Sequence, residues 1–435
     1  MTTIAHHGPP GPSGMISVEE ARARILEHFA PLPAEQTPLT EVLGQVLAED
    51  VRASFNIPPM ANTSMDGYAV RAADTKGAAP STPRELRVTG YLAAGSLFNG
   101  AVGPGEAVRI MTGAPMPDGA DAVVPFEETD EQEHGRWSDA PRERVRVDVA
   151  ARLGANIRRA GEDVRAGEVV LAAGTVLGPA QIGVLASLGL DHAPVHRRPR
   201  VAVLSTGDEL LRPGEPLRPG KIYDSNAFGI AAAVRDCGGV PTILDVARDS
   251  VEALTARIHE ALETADLLIT SAGVSRGDFD VVKEVLAREG EVGFWTVRMR
   301  PGKPLAFGTF RAAGDRVVPH LGLPGNPVSA LMTFELFGRP ALFTLLGKPE
   351  AWVRPTVRAV THERIVNPDP RRFYARAIVR SDGDGYVVNL TGPQGSGVLT
   401  SMALANGYAI VPEDVATIEA GEECDVILLG APLPL

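Results

Sequence analysis

A chain of 435 residues outgrows a single hydrophobic core, so about two to four domains are expected. Its 44% apolar and 22% charged residues are the balance of a globular protein, and its net charge of −12 argues against a general nucleic-acid binder or a protein that docks on acidic membranes. Two cysteines, Cys237 and Cys424, with no Cys/His metal spacing exclude a disulfide scaffold and a thiolate metal site, and a reducing, cytoplasmic compartment fits best.

Residues 1–14 (MTTIAHHGPPGPSG) lack an apolar run and read as a disordered leader, not a signal peptide; His6 and His7 are given no role. Ser17-Val18-Glu19-Glu20 is a capping box that opens a helix with Val18, Ala21, Ile25 and Phe29 on one face; Pro31 and Pro33 stop it. Over 51–150, short β runs (LRVTGYL, EAVRIMTG, ADAVVPFEE, RVRVDV) stand among Gly and Pro, which predicts a β-rich inserted lobe. Residues 151–198 read as a return segment, packing with 15–50 as a mixed N-terminal linker lobe. Its uncharged stretch 169–190 is long enough to cross a bilayer. Gly174, Gly178, Pro179, Gly183 and Gly189 instead break it into a strand and a short helix, so no membrane span is expected.

The rhythm changes at Arg200. The apolar run 201–205 is that of a strand buried on both faces. A helix from 226 ends at Gly238-Gly239. Then follow strand 241–246, helix 251–264, strand 267–271, helix 279–288, strands 294–299, 305–310 and 317–323, and helix 328–346. This alternation predicts a doubly wound α/β domain on a parallel sheet over 199–347. Beyond Pro355 the helical signal vanishes, and PTVRAVT, FYARAIVR, GYVVNL, GYAIVP and DVILLG predict a small C-terminal β-barrel or sandwich over 348–435.

In an open α/β sheet, ligands lie beyond the carboxyl ends of the strands. Those ends carry Thr206-Gly207-Asp208-Glu209, then Ser271 with Gly273, Ser275, Asp278 and Asp280, then Arg300-Pro301-Gly302-Lys303, and last Pro324-Gly325-Asn326. Glycine lets backbone N–H groups close on an anion. Lys303 is a point charge suited to phosphate, and Arg300 can bind an oxyanion with two parallel bonds. Carboxylates beside a phosphate usually mean Mg²⁺; hydrogen bonding to a ribose or an amine-bearing ring is their other use. Each loop alone is an ordinary turn, whereas four on one rim point to a phosphate-bearing small molecule. The Walker pattern is absent, and no GxGxxG follows a strand. In the first half, NTSMDGYAV with Asp66, IMTGAP with Thr112 and RRAGED with Asp163 are further candidate loops.

Together NTSMDGYAV, RIMTGAPMP, GADAVVP, NIRRAGEDV, STGDEL, YDSNAF, TSAGVSRGDFD, RPGKPLAFG and GLPGNPVSA resemble the MoeA family of molybdopterin molybdotransferases, which includes the gephyrin E domain. They run in family order over nearly everything after Met15. The resemblance implies an elongated homodimer of four-part subunits whose α/β domain is MogA-like. The implied reaction joins adenylyl-molybdopterin and molybdate, breaks the pyrophosphate link and releases AMP, with Mg²⁺ assisting. The implied site lies between the α/β domain of one subunit and the SMDGYA lobe of the other. Asp66, Glu209, Asp249, Asp280 and Lys303 are then the expected catalytic groups, with Glu209, Asp249 and Asp280 serving Mg²⁺. Thr112, Asp163, Arg300 and the rim loops would bind substrate, bordered by a C-terminal loop holding Ser396 and Ser401. A transient contact with a MogA-type adenylyltransferase is a further expectation. A MogA-like adenylyltransferase, a tungstate-handling relative or a gephyrin-like scaffold are the alternatives. Two positions depart from the family pattern: Ala272 replaces a usual glycine, and Thr296 a frequent lysine. Strand alternation would put positions 296, 298 and 300 on one face, letting Arg298 compensate.

Overall fold

Ser17 opens the first helix, α1 (Val18–Leu26): its Oγ accepts the Glu20 backbone N–H at 3.0 Å, leaving Val18, Ala21 and Ile25 on the buried face. The computed structural model describes residues 14–131, 142–247, 250–271, 285, 288–383, 385–431 and 433–434. The chain divides into two compact units, one of Met1–Thr37, Val42–Ala48 and Pro194–Leu435, the other of Pro38–Glu41 and Glu49–Ala193.

The second unit is built on five strands, β1 (Gly67–Val70), β2 (Arg84–Leu92), β3 (Glu106–Ile110), β4 (Ala122–Pro125) and β5 (Arg144–Val147), in the order β4-β1-β3-β2-β5. Alternation sorts their side chains. Tyr68, Val70, Ala107, Ala122 and Val124 enter one core; Ala69, Val108, Ile110 and Val123 enter the other. The uncharged stretch at 169–190 is a three-residue strand, Val169–Leu171, and a nine-residue helix, α2 (Pro179–Ser187). Among the described residues, no helix is long and apolar enough to cross a membrane.

The α/β part of the first unit holds β6 (Arg200–Ser205), α3 (Asn226–Asp236), β7 (Val240–Ile243), α4 (Val251–Thr264), β8 (Leu267–Ser271), β9 (Gly290–Thr296), β10 (Met299–Arg300), β11 (Pro304–Arg311), β12 (Val317–Leu323), α5 (Pro327–Thr333) and α6 (Arg339–Leu345). A π-helical turn, Phe334–Gly338, joins α5 to α6. The sheet order is β7-β6-β8-β12-β11-β9. Val201, Val203, Leu267 and Ile269 face a core shared with α1, α3, α5 and α6, whereas Ala202, Leu204 and Leu268 face the core under α4. The domain is thus wound on both faces.

The expected parallel sheet is found in four of the six strands and corrected in the other two. β7, β6, β8 and β12 are parallel, but β11 runs antiparallel to both β12 and β9. The links 297–303 and 312–316 are too short for a crossover helix, so the strands they join must reverse. The expected strand 294–299 is also two strands. β9 ends at Thr296, and β10 pairs instead with Arg372 and Phe373 of the C-terminal sheet. The expected helix 279–288 lies largely outside the described residues. The C-terminal strands β13 (Thr356–Thr361), β14 (Arg372–Asp382), β15 (Gly385–Leu390), β16 (Gly407–Val411) and β17 (Glu423–Leu428) pair in the cycle β14-β15-β13-β17-β16-β14, a closed small barrel; α7 (Leu399–Leu404) lies between β15 and β16 in sequence.

His320, on β12, is wholly buried with Nε2 2.9 Å from Thr270 Oγ1. Burial pushes its pKa from 6.5 down to about 3. A base held neutral in the fold takes a proton only in the unfolded chain between those values. Stability therefore falls as pH drops below 6.5, by up to about 1.4 kcal/mol per pH unit from this group. The urea midpoint of His320→Gln should consequently drop less than that of the unaltered protein between pH 7 and pH 5. Equal drops would mean that the imidazole is not kept neutral.

Candidate active site

In the second unit, the register Gly67↔Ile110 brings the residue before β1 beside the residues after β3. Asp66 Oδ1 there accepts the Thr112 backbone N–H at 2.6 Å and the Thr112 hydroxyl at 2.7 Å. Two candidate loops nearly fifty positions apart in sequence thus form one rim. Asp163 is exposed in a neighbouring turn, which is closed by the Ile57 carbonyl accepting the Asp163 and Val164 N–H groups. Among the described residues, no hydrogen bond joins Asp163 to Asp66 or Thr112.

In the first unit, the carboxyl ends of β6, β8 and β12 open on a cavity of about 660 Å³ whose lining includes Thr206, Glu209, Ser271, Pro324, Gly325 and Asn326, all expected from the sequence. It also includes Ser205, Asp224, Asn226, Ser329 and Gly397, which were not. Asp224 is spent on the start of α3, where its Oδ1 accepts the Ala227 N–H at 3.0 Å. Gly207 has φ +145°, a backbone conformation that residues with a Cβ rarely adopt, so the turn that presents Glu209 favours glycine. Asp208 is exposed, and its carbonyl accepts a bond from Lys221 Nζ. Asp249, Gly273, Ser275 and Asp280 lie outside the described residues, as does Ala272.

Beside the cavity, Arg300-Pro301-Gly302-Lys303 makes the turn from β10 to β11. Gly302 has φ +98°, and a Cβ there would stand 2.6 Å from Thr333 Oγ1 and 2.9 Å from Met299 Cε. That approach seats the turn on α5. The Arg300 guanidinium lies 4.7 Å over the Phe373 ring, and its Nη1 is buried with no hydrogen-bond partner among the described residues. On the same barrel strand, Arg376 is 0% exposed. Its Nε donates to Ser401 Oγ at 2.9 Å and its Nη2 to the Pro393 and Gly395 carbonyls, while its Nη1 is also buried with no hydrogen-bond partner among the described residues. Burial, and the nearby charge of Arg300, push this guanidinium down to about 10, so it stays protonated at neutral pH.

Arg376 also organises the loop that carries Ser396. Its backbone N–H donates to Gln394 Oε1 at 2.8 Å, and its carbonyl accepts from Gln394 Nε2. The Ser396 carbonyl accepts the Val328 N–H at the start of α5. Ser401 is 1% exposed, and its hydroxyl donates to the Val398 carbonyl. Asp369 is the carboxylate of this neighbourhood. It is held below its usual range by its bonds to Arg371, both 2.6 Å, and by the charges of Arg371, Arg300 and Lys303. Three cations, Arg371, Arg300 and Lys303, thus act on one carboxylate. Arg298 is turned elsewhere: its Nη2 reaches the Met15 carbonyl at 3.5 Å, and its backbone N–H donates to the Ile16 carbonyl. The chain changes sheets between 297 and 299, which breaks the alternation that would have aligned Arg298 with Arg300.

Buried guanidinium nitrogens without acceptors are costly unless an anion completes them. Arg376 could not be found by periodicity, because an arginine among alternating strand residues reads as solvent-facing. The signal was its place in Ala375-Arg376-Ala377, two small residues that are both buried.

Sequence comparison completes the assignment. The chain matches the MoeA N-terminal region (domains I and II) over 16–189, a probable molybdopterin binding domain over 202–344, and the MoeA C-terminal region (domain IV) over 358–429. Molybdopterin molybdenumtransferase 2 of Mycobacterium tuberculosis is 42% identical over 418 residues, 95% of this chain and 99% of its own. Molybdopterin molybdenumtransferase of Haemophilus influenzae is 35% identical over 412 residues, 94% of this chain and 97% of its own. The crystal structure of a molybdopterin biosynthesis MoeA protein from Pyrococcus horikoshii is 32% identical, with a TM-score of 0.78 over 96% of this chain and 100% of that one. With relatives above 30% identity along nearly its whole length, and the family's regions in order, the chain belongs to the MoeA family.

Proposed function

We propose that the protein is a molybdopterin molybdotransferase, which inserts molybdate into adenylyl-molybdopterin and releases AMP. Full-length relatives carry that name. The observation that carries the reading is the pair of buried Nη1 atoms of Arg300 and Arg376, neither with a hydrogen-bond partner among the described residues, near a rim cavity. Two fixed guanidinium groups suit a tetrahedral dianion such as molybdate, and the cavity suits the nucleotide. The metal-binding sulfurs belong to the substrate, so the enzyme needs no thiolates of its own; both its cysteines are buried and pushed up to about 11 by burial.

Each residue then has a task. Thr206, Ser271 and the Pro324–Asn326 turn bind the nucleotide end, and Lys303, exposed beside Arg300, screens the incoming anions. Arg376 and Ser401 hold the 393–398 loop against α5. Among the described residues no three acidic, His or Cys side chains gather to hold a metal ion. Glu209 does place a carboxylate in the cavity, and one or two carboxylates with phosphate oxygens suffice for Mg²⁺. Glu209, with Asp249 and Asp280, would hold Mg²⁺, which would neutralise phosphate charge as AMP leaves. The working form in this reading is a cytoplasmic homodimer, in which Asp66, Thr112 and Asp163 of one subunit face the α/β domain of the other. A transient contact with a MogA-type adenylyltransferase would deliver the substrate.

The test is an assay with two substrates. Adenylyl-molybdopterin should release AMP only when molybdate is added, and molybdopterin with ATP should give no turnover. ATP consumption without the adenylylated substrate would favour an adenylyltransferase instead.

A further inference from the structure

We propose that Asn226 is a positioning residue that forces the Ser271 hydroxyl to act as a hydrogen-bond donor into the cavity. Asn226 is the first residue of α3, and its Nδ2 donates to the Gly325 carbonyl at 2.7 Å and to Ser271 Oγ at 2.7 Å. A carbonyl oxygen can only accept, so the amide nitrogen, not the amide oxygen, must face Gly325. Its second N–H then reaches Ser271, whose oxygen is thereby an acceptor. The hydroxyl proton is left over, and among the described residues nothing accepts it. Ser271 is 2% exposed and lines the cavity.

The consequence is chemical selection. Ser271 must donate, so the ligand atom it meets is an acceptor, such as a phosphate oxygen. Ser205, its register partner on β6, is also 2% exposed and has an Oγ with no hydrogen-bond partner among the described residues. The cavity carboxylates do not supply this function: Glu209 can only accept, and Asp224 is committed to Ala227. Asn226 also ties the end of β8 to the turn after β12, which are the carriers of two rim loops.

This inference rests on the nucleotide reading of the cavity. AMP is the probe, and its affinity for the full-length protein is measured by calorimetry at neutral pH. Asn226→Asp keeps the shape but replaces the donors with acceptors, so Ser271 would donate to residue 226 and turn its lone pairs to the ligand. AMP affinity should fall at least about tenfold, the size of one hydrogen bond to a charged group. In a Ser271→Ala background the same substitution should cost less than about threefold, because the group it acts through is gone. Asn226→Ala should lie between the unaltered protein and Asn226→Asp, and all variants should melt as cooperatively as the unaltered protein. An equal loss in both backgrounds would mean charge repulsion alone and would overturn the proposal, as would no loss in either. An unaltered protein that binds no AMP would overturn the nucleotide reading as well.

Discussion

Asp66→Asn should cut the rate of AMP release by about a hundredfold or more while leaving the fold intact. Asp66 Oδ1 holds the Thr112 N–H and hydroxyl, and an asparagine oxygen can accept both bonds. The stability cost is then about 1 kcal/mol or less, so lost turnover would report chemistry, not unfolding. The second carboxylate oxygen has no hydrogen-bond partner among the described residues, which leaves it for substrate or a bound cation. Mixing Asp66→Asn with Glu209→Gln tests the shared site. If each site draws Asp66 from one subunit and Glu209 from the other, every mixed dimer has one intact site. Random reassortment should restore about a quarter of the unaltered rate. A mixture that stays as inactive as its components would place both residues in the same subunit's site.

Arg376→Lys should be the most damaging change in the C-terminal barrel. The lysine keeps the charge but loses the fork that serves Ser401, Pro393 and Gly395. Buried acceptors left unpaired cost about 1–3 kcal/mol each, so the variant should lose about 2–4 kcal/mol by urea titration. Its KM for molybdate should rise at least about tenfold, because one of two fixed guanidinium groups has gone and the 393–398 loop is released. Ser401→Ala separates the two effects. It removes two hydrogen bonds, the one from Arg376 Nε and the one to the Val398 carbonyl, costs about 1–3 kcal/mol and should change the molybdate KM little, because both guanidinium groups remain. An unchanged molybdate KM in Arg376→Lys would remove this arginine from the anion site.

The α/β core was legible because local patterns report burial directly. The runs 251–264, 267–271 and 317–323 are the observed α4, β8 and β12. The rim rule then placed Thr206, Glu209, Ser271 and Gly325 in one cavity, since strand direction fixes which loops share an edge. What stayed hidden depended on long-range pairing. The reversal of β11 follows from connection lengths, and periodicity carries no direction. The strand break at 297–299 arises because β10 finds its partner Arg372 more than seventy residues later. Arg376 and Asn226 escaped for a related reason. An arginine in a strand and an asparagine at a helix start each have an ordinary local explanation, and only the closed barrel and the meeting of β8 with β12 give them other partners.

In the proposed reading Arg300 and Arg376 flank an oxyanion site beside a nucleotide cavity. The decisive measurement is a crystal grown with AMP and molybdate, with data collected at the molybdenum absorption edge. An anomalous peak is expected within hydrogen-bonding distance of both Nη1 atoms, with adenylate density between Ser271 and Gly325. A molybdenum peak away from both arginines, with the rim cavity holding only solvent, would contradict that reading.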